Sequence, residues 1–169
     1  MSGADQVQRL VTFVLGESWY AADIAHVERV LRHEAVYAVP GMPSWVEGVI
    51  DYRGRVVPVV NLHRRFGLPE GERASGGRLL VFTMGDDVIA ASVDRVVDVR
   101  SVAAGELAPP PRLVRGAGSE FVRAMMRDGE AMVLVLDLLR LLSDDEQAAL
   151  EGCLDAPGIA AAAGRASHA

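Results

Sequence analysis

The chain has 169 residues, half of them apolar, so it can bury a real core and is not a disordered segment. Seventeen basic against 23 acidic residues leave a net charge of −6, which argues against a dedicated nucleic-acid surface, a site that needs a basic stripe. The single cysteine, Cys153, excludes an intrachain disulfide framework, and neither a membrane-length apolar run nor a basic-then-apolar leader pattern is visible, so a cytoplasmic protein with no direct membrane insertion is expected.

In chain order, residues 1–8 read as a tail. Leu10 to Leu15 is then a near-continuous apolar run, the pattern of a strand buried on both faces. Gly16-Glu17-Ser18 is a hairpin turn before Trp19 resumes a strand. Val39-Pro40-Gly41-Met42-Pro43 is a stiff turn, and Arg53-Gly54 is a hairpin that opens the strand Val56 to Val60. Asn61 stands where a helix N-cap is wanted, with Leu62 and Phe66 on one face and Gly67 as the stop. A polar link, Glu70 to Gly77, leads to a second strand, Leu79 to Met84, the turn Gly85-Asp86-Asp87, and a resumption at Val88. After an extended Pro109-Pro110-Pro111, Asp128-Gly129 opens a last hairpin with the strand Ala131 to Leu136, and Asp137 caps a short turn. Ser143-Asp144-Asp145-Glu146 is a capping-box pattern starting a closing helix over 143–154, and 157–169 reads as a disordered tail.

Arg9 to Leu31 aligns without a gap on Arg78 to Arg100, and the match includes Leu10/Leu79, Phe13/Phe82, Gly16/Gly85, Ala21/Ala90, Ala22/Ala91, Val27/Val96 and Val30/Val99. The hairpins at Arg53-Gly54 and Asp128-Gly129, with the short helical turns after them, continue the correspondence. The expected fold is mostly β: one domain over 9–156, built from two pseudo-repeated halves, about 9–70 and 78–142, each curled into a small barrel so that no long strand edge is left exposed.

Chemistry is scarce. His26, His33, His63 and His168 show no metal-ligand spacing, Cys153 reads as a buried, inert thiol, and Gly116-Ala117-Gly118 lacks the context of a nucleotide loop. No catalytic residue, metal or cofactor is therefore assigned, and surface for binding is what remains. Arg53 is either a tip that pairs with a partner carboxylate or a solvated turn residue. Val27 and Val30, with their repeat mates Val96 and Val99, are either core or an apolar groove between the halves.

Gly48 to Pro69, GVIDYRGRVVPVVNLHRRFGLP, resembles the signature of CheW-type chemotaxis coupling proteins, with Asp51, Arg53, Gly54, Pro58, Val59 and Leu62 in register. Ser92 to Val99 and Val133 to Ser143 are similar to that family's second-half segments. The resemblance implies two β-barrel subdomains around a shared apolar region and a non-enzymatic adaptor. It would link the cytoplasmic tip of a methyl-accepting chemoreceptor to the regulatory domain of a CheA-type histidine kinase, and so be recruited to receptor arrays at the membrane. Carried over by position, Val27, Val30, Gly48, Arg53 and Gly54 belong to partner-binding surfaces, and Val96 follows from the repeat. Three departures stand out: Arg29 where a Glu is usual, Asn61-Leu62-His63 where Asp-Leu-Arg is common, and Arg123-Ala124-Met125 for Gly-Val-Ala. The first reverses a charge on a contact face, which suits an adaptor of another chemosensory-like pathway as the alternative.

Overall fold

The computed structural model describes residues 6–33, 36–69, 77–110 and 119–154. The tail expected over 157–169, nearly all of the 70–77 link, Pro111 and Gly116-Ala117-Gly118 lie outside them. Ten strands form: β1 (Val7–Leu15), β2 (Ser18–Asp23), β3 (Val27–Arg32), β4 (Val46–Tyr52), β5 (Arg55–Asn61), β6 (Arg78–Met84), β7 (Asp87–Val93), β8 (Arg95–Ala103), β9 (Val122–Asp128) and β10 (Ala131–Leu136). Two helices join them, α1 (Leu62–Phe66) and α2 (Asp144–Leu154). The first strand starts at Val7, so the end of the expected N-terminal tail is already sheet.

The strands make two five-stranded sheets, in the order β8-β1-β2-β10-β9 and β3-β6-β7-β5-β4. Adding five to the strand numbers of the first repeat and subtracting five from those of the second turns the second order into the first. Each repeat therefore contributes its opening hairpin to one sheet and its last three strands to the other. The sheets are not the sequence halves: β1–β2 is completed by β8, β9 and β10, and β6–β7 by β3, β4 and β5. Two short connections carry out the exchange, the 3₁₀ turn Ile24–His26 capped by Asp23 and the corner at Asp94.

The duplication extends to the irregularities. An extra residue bulges from β3 at Glu28 and from β8 at its counterpart Val97, and again from β4 at Glu47 and from β9 at Arg123. Bulges kink and twist a strand, so the same curvature is built into both sheets. In each, the chain beyond the edge strand returns to bridge the far edge, Tyr37 to Val49 and Ala108 to Met125. These are isolated bridges, not ladders. The expected closed barrels are thus two strongly curled sheets.

Burial on both faces explains the continuous apolar runs. Leu10 on β1 points into the curl of its own sheet with Ala21, Val133 and Val135, whereas Val11 and Phe13 point into the core shared with the other sheet. Likewise Leu79 and Val81 fill the second curl, and Leu80 and Phe82 the shared core. A file of rings, Phe13, Tyr20, Phe66 and Phe121, crosses that core at centroid spacings of 5.9, 5.8 and 5.3 Å. Burial pushes the Tyr20 hydroxyl above its ordinary pKa.

α1 clasps the sheets together. Asn61 accepts from the Arg64 N–H at 3.0 Å, and Gly67 closes the turn at φ 70°, a left-handed backbone that glycine adopts without strain. The buried His63 reaches Asp94 at 2.9 Å, and Asp94 also accepts the Gly16 N–H at 2.6 Å. One carboxylate thus holds α1, the β7–β8 corner and the β1–β2 turn. Arg65 lies over the rings of Trp45 and Phe121, 4.5 and 5.2 Å from their centroids, and donates to the Leu141 carbonyl. It also pairs with Glu146 at 2.6 Å.

That pair anchors α2. Ser143 Oγ accepts the Glu146 N–H while Glu146 accepts the Ser143 N–H, the reciprocal capping box expected. Beyond it, Gln147 donates to the Met84 carbonyl and Asp87, and Leu150 is the helix's one buried side chain. Cys153, expected to be buried, is half-exposed, because α2 touches the body only along this narrow seam.

Burial raises the Glu146 pKa by the largest single effect, but the Ser143 N–H and Arg65 together outweigh it and hold the carboxyl below its ordinary 4.5. A carboxyl depressed in the folded state adds stability above its unfolded value and loses it as pH falls through the folded one. Between neutral pH and about pH 4 the wild type should therefore lose more stability than Glu146→Gln, which keeps the capping hydrogen bond without the charge. Urea unfolding of both proteins at the two pH values measures it, and parallel losses would remove the charge from the anchor.

Candidate partner-binding surface

The shared core reaches the surface along two strands, β3 and β8, the edge strands of their sheets. Val27 pairs in register with Phe82 and Val96 with Phe13, and both valines pack on the shared core while half-exposed. Two steps along the same face, Val30 pairs with Leu80 and Val99 with Val11. Here the inner partners are buried, whereas Val30 is 40 % and Val99 42 % exposed. The symmetry of the fold thus places four valines at matching points of the rim where the sheet–sheet core opens to solvent. An apolar strip of this kind, continuous with a core and edged by polar groups, is the usual form of a protein-docking surface. The residues alone left core and groove open; in the structure Val27 and Val96 pack against the core, and Val30 and Val99 are partly exposed. Val99 was readable from its repeat mate, since the alignment pairs it with Val30.

Arg53 and Gly54 occupy the tip between β4 and β5 with φ of 52° and 78°. Two successive positive values make the turn that fits strand twist, and Asp51 accepts the Gly54 N–H to fix it. Arg53 is the one non-glycine residue at positive φ among those described. It is exposed, its guanidinium 5.2 Å from the centroid of the Tyr52 ring, with no carboxylate paired to it among the described residues. An L-residue held there costs about 1–2 kcal/mol relative to glycine, and the contact with the Tyr52 ring is the one local interaction its side chain makes among the described residues.

Gly48 has a different surrounding. It is buried beside the Glu47 bulge, at φ 155°, under the Tyr37 segment that bridges Val49 through two backbone hydrogen bonds. A Cβ added to it would lie 2.1 Å from the Tyr37 carbonyl oxygen. Close passage of backbone accounts for the glycine without any partner. Its neighbour Glu47 turns inward and accepts from Asn61 at 2.8 Å and Ser92 at 3.3 Å, and contacts His33 at 2.6 Å, tying β4, β5 and β7 to the end of β3. No spacing signal in the sequence marks this network.

No three His, Cys, Asp or Glu side chains converge as metal ligands would among the described residues, and none of the described helices is long and apolar enough to cross a membrane. The structure is a duplicated two-sheet β module with an apolar valine rim and an arginine-tipped hairpin. A family model described as CheW-like domain matches residues 9–146, and the chain belongs to that family. The family is one of scaffold and adaptor proteins in chemotaxis signal transduction.

The chain is 33 % identical to the chemotaxis protein CheW of Treponema pallidum, over 86 % of this chain and 88 % of that one. It is 27 % identical to the chemotaxis protein CheW of Klebsiella aerogenes, over 89 % and 91 %. It is also 26 % identical to protein FrzA of Myxococcus xanthus, over 85 % and 90 %. Among solved structures, the scaffolding protein TtCheW from Thermoanaerobacter tengcongensis superposes with a TM-score of 0.77 at 26 % identity, covering 83 % of this chain and 91 % of that one.

Replacing Gly48 with alanine should cost about 3 kcal/mol or more, because the methyl group must push the Tyr37 backbone away. Its counterpart in the second repeat is Ala124, where a Cβ is accommodated. Chemical denaturation measures the loss, and an unchanged midpoint would mean that the Tyr37 bridge is not maintained.

Proposed function

We propose that this chain is a non-enzymatic coupling protein that bridges the cytoplasmic tip of a methyl-accepting chemoreceptor and the regulatory domain of a CheA-type histidine kinase. The observation that carries it is the rim of Val27, Val30, Val96 and Val99, where the shared core is left open at symmetry-related points. The family resemblance implies a helical receptor tip, and an amphipathic helix laid into an apolar strip is a common docking mode. The Arg53–Gly54 tip stands on another part of the module, which leaves it for a second partner. Gly54 lets a partner backbone approach, and Arg53 offers a fork of donors to a carboxylate. Gly48 serves the surface indirectly, by letting the Tyr37 segment lie flat over β4.

A second reading is an adaptor for another chemosensory-like pathway. The similarity to FrzA over 85 % of the chain favours it, as does Arg29, exposed on β3 with no partner among the described residues. The two readings share the surface and differ in the partners that it meets.

Arg53→Ala should weaken binding to a purified kinase regulatory domain or a receptor fragment by about 1.5–3 kcal/mol, roughly ten- to a hundredfold. Arg53→Gly should bind as weakly while matching or exceeding wild-type stability, because glycine suits the positive φ. Calorimetric titration together with thermal melting of both variants measures this. Unchanged affinity for both partners would take Arg53 out of the interface.

A further inference from the structure

Beyond the valines, each of these faces carries arginine. Along β3 and β6, the next in-register pair beyond Val30 and Leu80 on the same face is Arg32 and Arg78. Along β1 and β8, the pair beyond Val11 and Val99 is Arg9 and Ser101. Arg9 and Arg78 are repeat mates, so the symmetry that duplicates the valines also sets arginine beyond them on both sides. Two residues along a strand is about 7 Å, and an arginine side chain spans that distance easily.

Their state is unusual for a protein of net charge −6. Arg9 and Arg32 are exposed, and neither takes part in an ion pair or side-chain hydrogen bond among the described residues. Arg32 lies directly opposite Arg78 in the register. By contrast, on β8, Asp98 accepts from Thr12 at 2.8 Å, and Arg100 pairs with Asp128 at 2.6 Å. Nothing in the fold needs Arg9 or Arg32 to be cationic.

We infer that Arg9 and Arg32 are specificity-determining residues of the valine rim, and that its occupant is a protein segment with an apolar centre and acidic residues on both flanks. The inference rests on the docking reading of the rim and adds the chemistry of what docks. The valines supply burial and do not distinguish one apolar segment from another. The arginines supply the discrimination, rewarding carboxylates and repelling lysine at the two ends. Exposed pairs of this kind are individually weak, so two of them, attractive for one segment and repulsive for the other, separate the two by on the order of tenfold at physiological salt.

The test uses the full chain and two synthetic helical peptides with the same apolar face, one flanked by glutamates and the other by lysines. Fluorescence titration should show the glutamate peptide binding about tenfold more tightly, with a preference that shrinks as salt is added. In Arg9→Glu/Arg32→Glu the preference should invert, and in the milder Arg9→Gln/Arg32→Gln it should disappear. Both variants should melt near the wild type, since the replaced side chains are exposed and unpaired. Equal affinity of the wild type for the two peptides, abolished for both by Val30→Asp, would overturn the role of the arginines and leave the rim as an unselective docking strip. Binding of neither peptide would overturn the docking reading and this inference with it.

Discussion

The structure depends on the exchange of strands between its two repeats. Neither opening hairpin finds its sheet partners within its own repeat; β1–β2 needs β8 and β10, and β6–β7 needs β3 and β5. The backbone hydrogen bonds of each sheet therefore require the whole chain. The core between the sheets is filled by the outward faces of the same two hairpins: Val11, Phe13 and Tyr20 from one, Leu80, Phe82 and Ile89 from the other. Since an unpaired buried backbone group costs about as much as a lost hydrogen bond, one repeat cannot keep its sheet while the other unfolds.

The binding surface follows from the same exchange. The first strand that each repeat passes to the other sheet ends as an edge strand, so β3 and β8 come to lie at the mouth of the shared core with one face only partly covered. That is why valines in strands otherwise like their neighbours are half-exposed at Val30 and Val99 and half-buried at Val27 and Val96. The clasps around α1 fix the mouth from behind. Asp94, which holds both His63 and the Gly16 turn, is the residue at which the chain leaves β7 for β8. His63 stands where members of the family commonly carry arginine.

Much of this was legible in the sequence, for reasons that can be named. The repeat was visible because equivalent strands bury both faces and equivalent turns need the same residues, as at Gly16 and Gly85. Asn61 and Ser143 announced helix starts because capping is local chemistry that a few residues decide. The exchange was not legible, because periodicity tells which face of a strand is buried and not which strand lies beside it. Leu10 and Leu79 read alike whether their halves are separate or interlocked. The bulges at Glu28, Val97, Glu47 and Arg123 were hidden for the same reason, since an extra residue is extra only relative to a partner strand. Among the candidate site residues, Arg53 and Gly54 showed themselves through turn chemistry. The packing of Gly48 against Tyr37 is a contact between segments that no local pattern records.

If the exchange is the foundation of the molecule, the two sheets open together. Native-state hydrogen exchange of the amides in β1–β2 and β6–β7, followed at increasing denaturant, measures this directly. The protected amides of both hairpins should converge on one opening free energy with one denaturant dependence. A sheet whose amides exchange through an opening that leaves the other sheet protected would show two separable units, and would contradict the interlocked arrangement.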